Sequence, residues 1–322
     1  MNVKEEIEFI NKELNSYDFG KEPENLYSPI TYFLNIGGKR FRPLLALIGG
    51  YLYSNDYKKI IKPALATEVF HNFTLVHDDI MDNAPLRRGV TTIHEKWNSN
   101  IAILSGDVML VKAYDLLAET EVSKLTKSLL LFNTCAREVC EGQQYDMDFE
   151  TRSDVSIPEY IEMIRLKTAV LLGFSLSFGA FLCGASEDDR LALKEFGEQI
   201  GIGFQLQDDY LDAFGAKAAV GKTIGGDILQ NKKTFLLLKT FELANEEQTA
   251  ELNKWLDTHD QPEEKIAAVK AIMQELGVPQ IAKELMNSYF EKGFEFLDKV
   301  NANNERIAFL KQFSYQLIER EK

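Results

Sequence analysis

Apolar residues recur along the chain at intervals of three and four, the period of a helix face. No run alternates strictly as a half-buried strand would, and no Asn-Gly or Asp-Gly pair separates two apolar runs. The pattern predicts helices over 1–19, 43–53, 63–83, 99–119, 121–147, 158–183 and 187–213. Further helices follow over 231–243, 247–257, 262–275, 278–299 and 303–320. Pro43 and Pro63 stand at first turns, and Ala84-Pro85 ends a helix, as proline chemistry dictates. Pro23 and Pro29 mark the stretch between them as a short connection. No solenoid-length repeat and no low-complexity linker interrupts the series. The expectation is an all-α protein, a large helical bundle in which residues 1–322 form a single domain.

One segment tests that reading. Thr168 to Ala185 carries no charge over 18 residues, near the lower limit for a membrane span. It contains Gly173, Gly179, Gly184, Ser175 and Ser177, and Lys167 and Glu187 flank it without a basic cluster. It reads as the central helix of a bundle, and no stable membrane insertion is expected.

Charge narrows the partners. The 322 residues include 36 Lys and Arg against 50 Asp and Glu, a net −14. That balance excludes nucleic acid as a general partner, since phosphate backbones need a cationic face. It still allows an anionic substrate where metal ions or a local basic patch reverse the field. Cys135, Cys140 and Cys183 have no metal-ligand spacing, and so sparse a set suits a reducing cytosol. The start, MNVKEEIEFINKEL, is acidic and amphipathic and does not read as a signal peptide. A cytoplasmic location is expected.

The chemistry lies in a repeated pattern. Leu75-Val-His-Asp-Asp-Ile-Met-Asp82 and Phe204-Gln-Leu-Gln-Asp-Asp-Tyr-Leu-Asp212 each carry Asp-Asp-x-x-Asp on a predicted helix. Residues four apart are separated by about 40° and one turn, so Asp78 and Asp82 share a face, as do Asp208 and Asp212. Asp79 and Asp209 lie about 100° round, at the edge of each stripe. Like charges at that spacing repel, and apolar neighbours surround both motifs. Hard divalent cations relieve such clusters, and magnesium fills its remaining positions with water and phosphate oxygens.

Short basic runs accompany the motifs. They are Gly37-Gly-Lys-Arg-Phe-Arg-Pro43, Pro85-Leu-Arg-Arg-Gly89, Lys167, Gly221-Lys-Thr-Ile-Gly-Gly-Asp227 and Asn231-Lys-Lys-Thr234. Glycine lets backbone approach an anion, and an arginine fork holds phosphate bidentately. Three of these runs follow an aspartate motif, which argues for a diphosphate clamp. Gly221-Lys222-Thr223 imitates the end of a P-loop, but Ala216 stands where that motif needs glycine and no strand precedes it.

Taken together, GGKRFRP, HNFTLVHDDIMDNAPLRRG, AILSGD, GQQYD, LKTA, GFQLQDDYLD and GKTIGGDI resemble the trans-polyprenyl diphosphate synthases of the isoprenoid synthase family. The resemblance runs from Gly37 to about Lys233, in the family's order. It implies an all-α bundle around a deep central pocket, commonly homodimeric. It also implies head-to-tail condensation of isopentenyl diphosphate with an allylic diphosphate. By motif position Asp78 and Asp82 look like magnesium ligands supported by Asp79, and Asp208 looks like the ligand from the other side. Asp209 and Asp212 would act through water, and three magnesium ions would bind with the substrate diphosphate. Arg87, Lys167, Lys222 and Lys232 look like contacts to the allylic diphosphate, and Lys39, Arg42, His71 and Arg88 like the isopentenyl diphosphate site. Thr168 and Gln205 match positions whose oxygens face the developing cation. The helical wheel puts His71 about 20° from Asp78, and Gln205 about 60° from Asp208.

The same resemblance places product length in the residues four, five and eight positions before Asp78, which are Thr74, Phe73 and Phe70. A phenylalanine at minus five and a small residue at minus four resemble short-chain synthases. Phe73 lies roughly 7.5 Å and Phe70 roughly 12 Å along the axis from Asp78. Phe73 also falls about 140° from Asp78, so either phenylalanine can be the floor. Farnesyl (C15) and geranylgeranyl (C20) products both stay open, and the absence of a two-residue insertion in the first motif leans towards geranylgeranyl. A longer-chain synthase and a non-catalytic regulatory subunit are the alternatives. A terpene cyclase would lack the second Asp-Asp-x-x-Asp.

Overall fold

A computed structural model describes residues 1–215, 225–258 and 260–319. Lys222 and its neighbours Gly221 and Thr223 lie outside the described residues, as does the C-terminal tail with Arg320 and Lys322. Among the described residues helices dominate, and the expected all-α class holds. The chain folds into two compact units, one of residues 1–133, 174–191 and 302–306, the other of 134–173, 192–301 and 307 onward.

The first unit contains α1 (Val3–Ser16), α2 (Glu24–Asn35), α3 (Phe41–Tyr53), α4 (Ile61–Met81), α5 (Ile93–Lys96), α6 (Ser99–Ala118) and the start of α7 (Val122–Thr151). Helix α4 packs against α3 and α6. It reads as apolar on most sides because it is buried on most sides, from Ile61 through Asn72. Glycines set the approach of α9 (Val170–Leu182), whose residues from Phe174 belong here. A Cβ on Gly179 would stand 1.7 Å from the Ala46 carbonyl oxygen, and one on Gly49 2.0 Å from that of Leu176. The two backbones touch, and only hydrogen fits between them. The apolar helical stretch Ile157–Leu182 is long enough to cross a membrane, yet 78% of its apolar window is buried inside the protein.

Two elements differ from expectation. The stretch read as a connection is helix α2, which keeps Pro29 inside it. Proline costs this helix a hydrogen bond, but Ile30, Phe33 and Leu34 bury one face, and that burial prevails. The second is a small hairpin, β1 (Leu86–Arg87) with β2 (Val90–Thr91). Its two-residue turn puts Arg88 at φ 54° and Gly89 at φ 77°, the primed-turn geometry. Gly89 was the available signal, though neither Asn nor Asp preceded it.

The second unit holds the rest of α7, α8 (Ile157–Ile164), a π turn (Arg165–Ala169) and the main part of α10 (Glu187–Phe214). It also holds α11 (Gly226–Leu229), α12 (Phe235–Leu243), α13 (Glu246–Leu256), α14 (Pro262–Glu275), α15 (Val278–Leu297) and most of α16 (Asn304–Glu319). Its core joins Phe149, Tyr160, Met163, Leu206, Phe235, Leu252, Val269 and Met273. The predicted 158–183 helix is thus interrupted at Lys167. A Cβ on Gly142 of α7 would lie 2.2 Å from the Lys167 backbone nitrogen, so α7 passes directly against the π turn. Such bulges recur at functional sites.

Candidate active site

The first aspartate motif ends α4. The Asp82 amide donates to the Asp78 carbonyl at 2.8 Å, and the Ala84 amide closes the end on the Asp79 carbonyl at 2.9 Å. The last carbonyls of a helix carry partial negative charge, so three carboxylates there are disfavoured and a cation is favoured. The three do not share one environment. Asp82 is exposed and Asp78 half-buried, whereas Asp79 is buried. Its Oδ1 accepts from Arg87 Nε at 2.8 Å and Nη2 at 2.6 Å. Burial pushes the Asp79 carboxyl up, and Arg87 opposes that shift. Arg87 sits in β1, so the hairpin is what returns it to α4.

Around His71 the first unit gathers cations. Burial, then the charges of Arg42, Arg88 and Arg87, hold the imidazole well below its ordinary value and keep it neutral. Arg88 donates from Nη1 to the Gly37 carbonyl, and burial lowers its pKa. Gly38 leaves room for this guanidinium, since a Cβ there would lie 2.8 Å from Nη1. Arg42 is half-buried and Lys39 exposed. Arg40, between them, turns inward. Its backbone is left-handed at φ 49°. Its guanidinium meets Glu68 Oε1 at 2.9 Å, Asn11 Oδ1 at 2.9 Å and the Leu34 carbonyl at 2.8 Å. It anchors the junction between the loop that carries Lys39 and the first turn of α3 that carries Arg42.

The second motif lies in the last two turns of α10, with only Asp212 in the final turn, where carbonyl dipoles favour a cation. Asp208 is exposed. Asp209 is buried and accepts from the Tyr160 hydroxyl and from Gln205 Nε2, the latter at 3.1 Å. Burial pushes its carboxyl up to about 7, against the two hydrogen bonds. Asp212 spends Oδ2 on the Asp227 amide at 3.0 Å and its carbonyl on the Gly225 amide at 2.7 Å, fixing the start of α11. Of the two motifs, then, Asp79, Asp209 and Asp212 are engaged by protein groups, and Asp82 and Asp208 face solvent. Among the described residues no three metal-type side chains converge on a point. Magnesium needs only one or two carboxylates when phosphate oxygens complete its shell, so the residues present fit it.

The π turn presents two further candidates. Lys167 Nζ donates to Asp146 Oδ2 of the GQQYD run at 2.6 Å. The Thr168 hydroxyl donates to Gln205 Oε1 at 3.4 Å. Lys232 is half-exposed, 3.8 Å from Asp227. Tyr160 was not singled out by sequence, where it is one aromatic residue on an apolar helix face.

Phe70 is 1% exposed and meets the edge of Phe132 at 5.2 Å between ring centroids. Phe73 is half-buried, 5.8 Å from Phe70 and 4.7 Å from the His77 ring. The Thr74 hydroxyl turns back to the His71 carbonyl at 2.8 Å. Thus Phe73 lies on the His77 side of α4, and Phe70 joins the aromatic cluster with Phe132.

Residues 23–276 match a family model described as polyprenyl synthetase. The chain is 37% identical to a geranylgeranyl pyrophosphate synthase of Geoglobus acetivorans, over 99% of this chain and 98% of that one. It is 38% identical to a geranylgeranyl diphosphate synthase of Methanosarcina mazei, over 92% and 90% respectively. A crystal structure of a geranylgeranyl pyrophosphate synthase superposes with a TM-score of 0.95 at 43% identity, covering both chains completely.

Proposed function

The chain belongs to the polyprenyl synthetase family and is a trans-prenyltransferase. From that premise we propose that it condenses isopentenyl diphosphate with a C5, C10 or C15 allylic diphosphate to make geranylgeranyl diphosphate, with farnesyl diphosphate the alternative product. The observation that carries this reading is the pair of aspartate motifs, each at a helix C-terminal end and each leaving a carboxylate outward.

The reaction breaks the bond between the allylic carbon and oxygen, and the electron pair leaves on pyrophosphate. The double bond of isopentenyl diphosphate forms the new carbon–carbon bond, and a proton departs to the released pyrophosphate. The chain's part is to hold both diphosphates and to face the developing cation with oxygen. Asp78, Asp82 and Asp208 are the residues that would hold magnesium, three ions in all, with Asp209 and Asp212 contributing through water. Bound magnesium supplies charge neutralisation on the leaving oxygens. Arg87, Lys167, Lys222 and Lys232 bind the allylic diphosphate. Arg87 Nε and Nη2 are fixed by Asp79, and its Nη1 meets the anion. Lys39, Arg42, Arg88 and neutral His71 bind isopentenyl diphosphate, His71 as a hydrogen-bond donor. Thr168 and Gln205 stabilise the cation through their oxygens.

Residues 1–322 act as one synthase domain, and the protein works as a cytoplasmic homodimer. Ile103, Leu104 and Val111, exposed along α6, support a partner surface there. The test is incubation of the purified protein with magnesium, labelled isopentenyl diphosphate and each allylic starter, followed by sizing of the dephosphorylated products. A C15 or C20 alcohol that disappears with chelator is expected. A ladder beyond C25 would discard the short-chain assignment. No product from any starter would put the regulatory-subunit reading in its place.

A further inference from the structure

Tyr160 lies on α8, which a Ser156–Glu159 capping box and Pro158 start firmly. The residue is 2% exposed, and its hydroxyl donates to Asp209 Oδ2. The other oxygen, Oδ1, accepts from Gln205 Nε2 at 3.1 Å. The far atom of the same amide, Oε1, lies 3.4 Å from the Thr168 hydroxyl. The four residues form one chain of hydrogen bonds within the second unit.

A glutamine amide has nearly the same shape either way round, and its last torsion is broad and two-fold. Packing alone does not choose between nitrogen and oxygen. A carboxylate does, because it only accepts. Asp209 therefore pulls the nitrogen of Gln205 to itself and sends the oxygen to the Thr168 side. Protonation of Asp209 on the Tyr160 side would leave Oδ1 an acceptor, so the selection survives it. The choice has a chemical sign. An oxygen aimed at a developing carbocation stabilises it, and an NH₂ group in the same place opposes it.

We infer that Tyr160 is a positioning residue for prenyl transfer: by fixing the Asp209 carboxylate it locks the Gln205 amide with its oxygen on the Thr168 side. The inference rests on the proposed reaction. Removing the phenolic oxygen leaves a buried carboxylate short of a donor; the side chain swings towards another donor, the bond from Gln205 Nε2 breaks, and Gln205, with no acceptor to choose its nitrogen, samples both orientations.

Wild-type turnover with magnesium comes first and tests the reaction by itself. Tyr160→Phe keeps the ring and loses only the hydroxyl. Its kcat should fall about ten- to a hundredfold, the usual effect of outer partners on activity. KM for both diphosphates should not change. Because Tyr160 acts through Gln205, Tyr160→Phe/Gln205→Leu should turn over no more slowly than Gln205→Leu alone. A second readout needs no turnover. With ¹⁵N-glutamine labelling, the Gln205 amide protons, assigned by their absence in Gln205→Leu, should resist exchange in the wild type and exchange freely in Tyr160→Phe. Unchanged kcat in folded Tyr160→Phe, additive losses in the double variant, or unaltered Gln205 exchange would each overturn the inference. If Tyr160→Phe does not fold, Asp209→Asn carries the test. There Tyr160 holds the amide oxygen, the new NH₂ faces Gln205, and the Gln205 amide inverts. Its Gln205 amide protons should then exchange freely, a readout independent of the water-mediated magnesium contact proposed for Asp209. Gln205 protons as protected as in the wild type would overturn the lock. Should the wild type make no product, the reaction fails while the exchange measurement still decides the lock.

Discussion

Replacing Arg40 by Met is the perturbation with the clearest consequence. The Arg40–Glu68 pair is 4% exposed on both sides, so solvent screens it little. Arg40→Met keeps a side chain of similar reach but strands the Glu68 carboxylate, which among the described residues keeps a side-chain donor in Asn72 Nδ2 at 3.3 Å. Breaking a buried pair by removing one partner costs about 3–5 kcal/mol. At roughly 2.1 cal/mol/K per residue, the 322 residues give an unfolding entropy of roughly 0.7 kcal/mol/K. The loss therefore corresponds to a fall in Tm of about 4–7 °C, read by calorimetry at fixed scan rate. Arg40→Met/Glu68→Leu should recover most of it, since a well-packed apolar pair replaces a buried ion pair at little cost. The single variant should also raise KM for isopentenyl diphosphate more than for the allylic substrate, because Lys39 and Arg42 flank the anchor. A loss below about 1 kcal/mol, as for an exposed pair, would refute the burial argument. So would a double variant no more stable than the single.

The remaining predictions are briefer. Phe73→Ala should lengthen the product at small cost in stability, whereas Phe70→Ala should lengthen it and cost about 3–5 kcal/mol, as expected for a core phenylalanine. Unchanged products from both, sized by chromatography, would move the floor elsewhere. Gly179→Ala should destabilise by about 1–3 kcal/mol, because its Cβ meets backbone rather than a movable side chain; a thermal melt with no shift would contradict the contact. His71 is held neutral, with its folded pKa well below 6.5. Its contribution is full above pH 6.5 and is lost as pH falls below that value, where only the unfolded chain takes the proton. Melts of wild type and His71→Gln across that range should diverge, the wild type losing more on acidification; parallel curves would contradict the shift.

The helices were legible because burial periodicity is a local signal. Most predicted ends lie within a few residues of the observed ones, and 262–275 is reproduced. Helix α2 was missed because a proline rule outweighed an apolar face, and folding weighs the two in the other order. The π turn was missed because Arg165 to Ala169 has no compositional mark. In the fold it lies against α7, which passes it closely at Gly142.

By itself the sequence determined which residue types stand at which helical spacing: carboxylates four apart, cations after glycines, phenylalanines before the first aspartate. Spacing along one helix is local geometry, so it survives without knowledge of the fold. Only tertiary structure decided how equivalent carboxylates divide their work. Asp79 goes to Arg87 across a hairpin, Asp209 to Tyr160 of another helix, and Asp212 to the start of α11, while Asp82 and Asp208 stay outward. It also turned Arg40 inward from a run whose neighbours Lys39 and Arg42 read alike. The reason is physical: a charge acquires its role from desolvation and from the partner that meets it, and both come from residues distant in the chain.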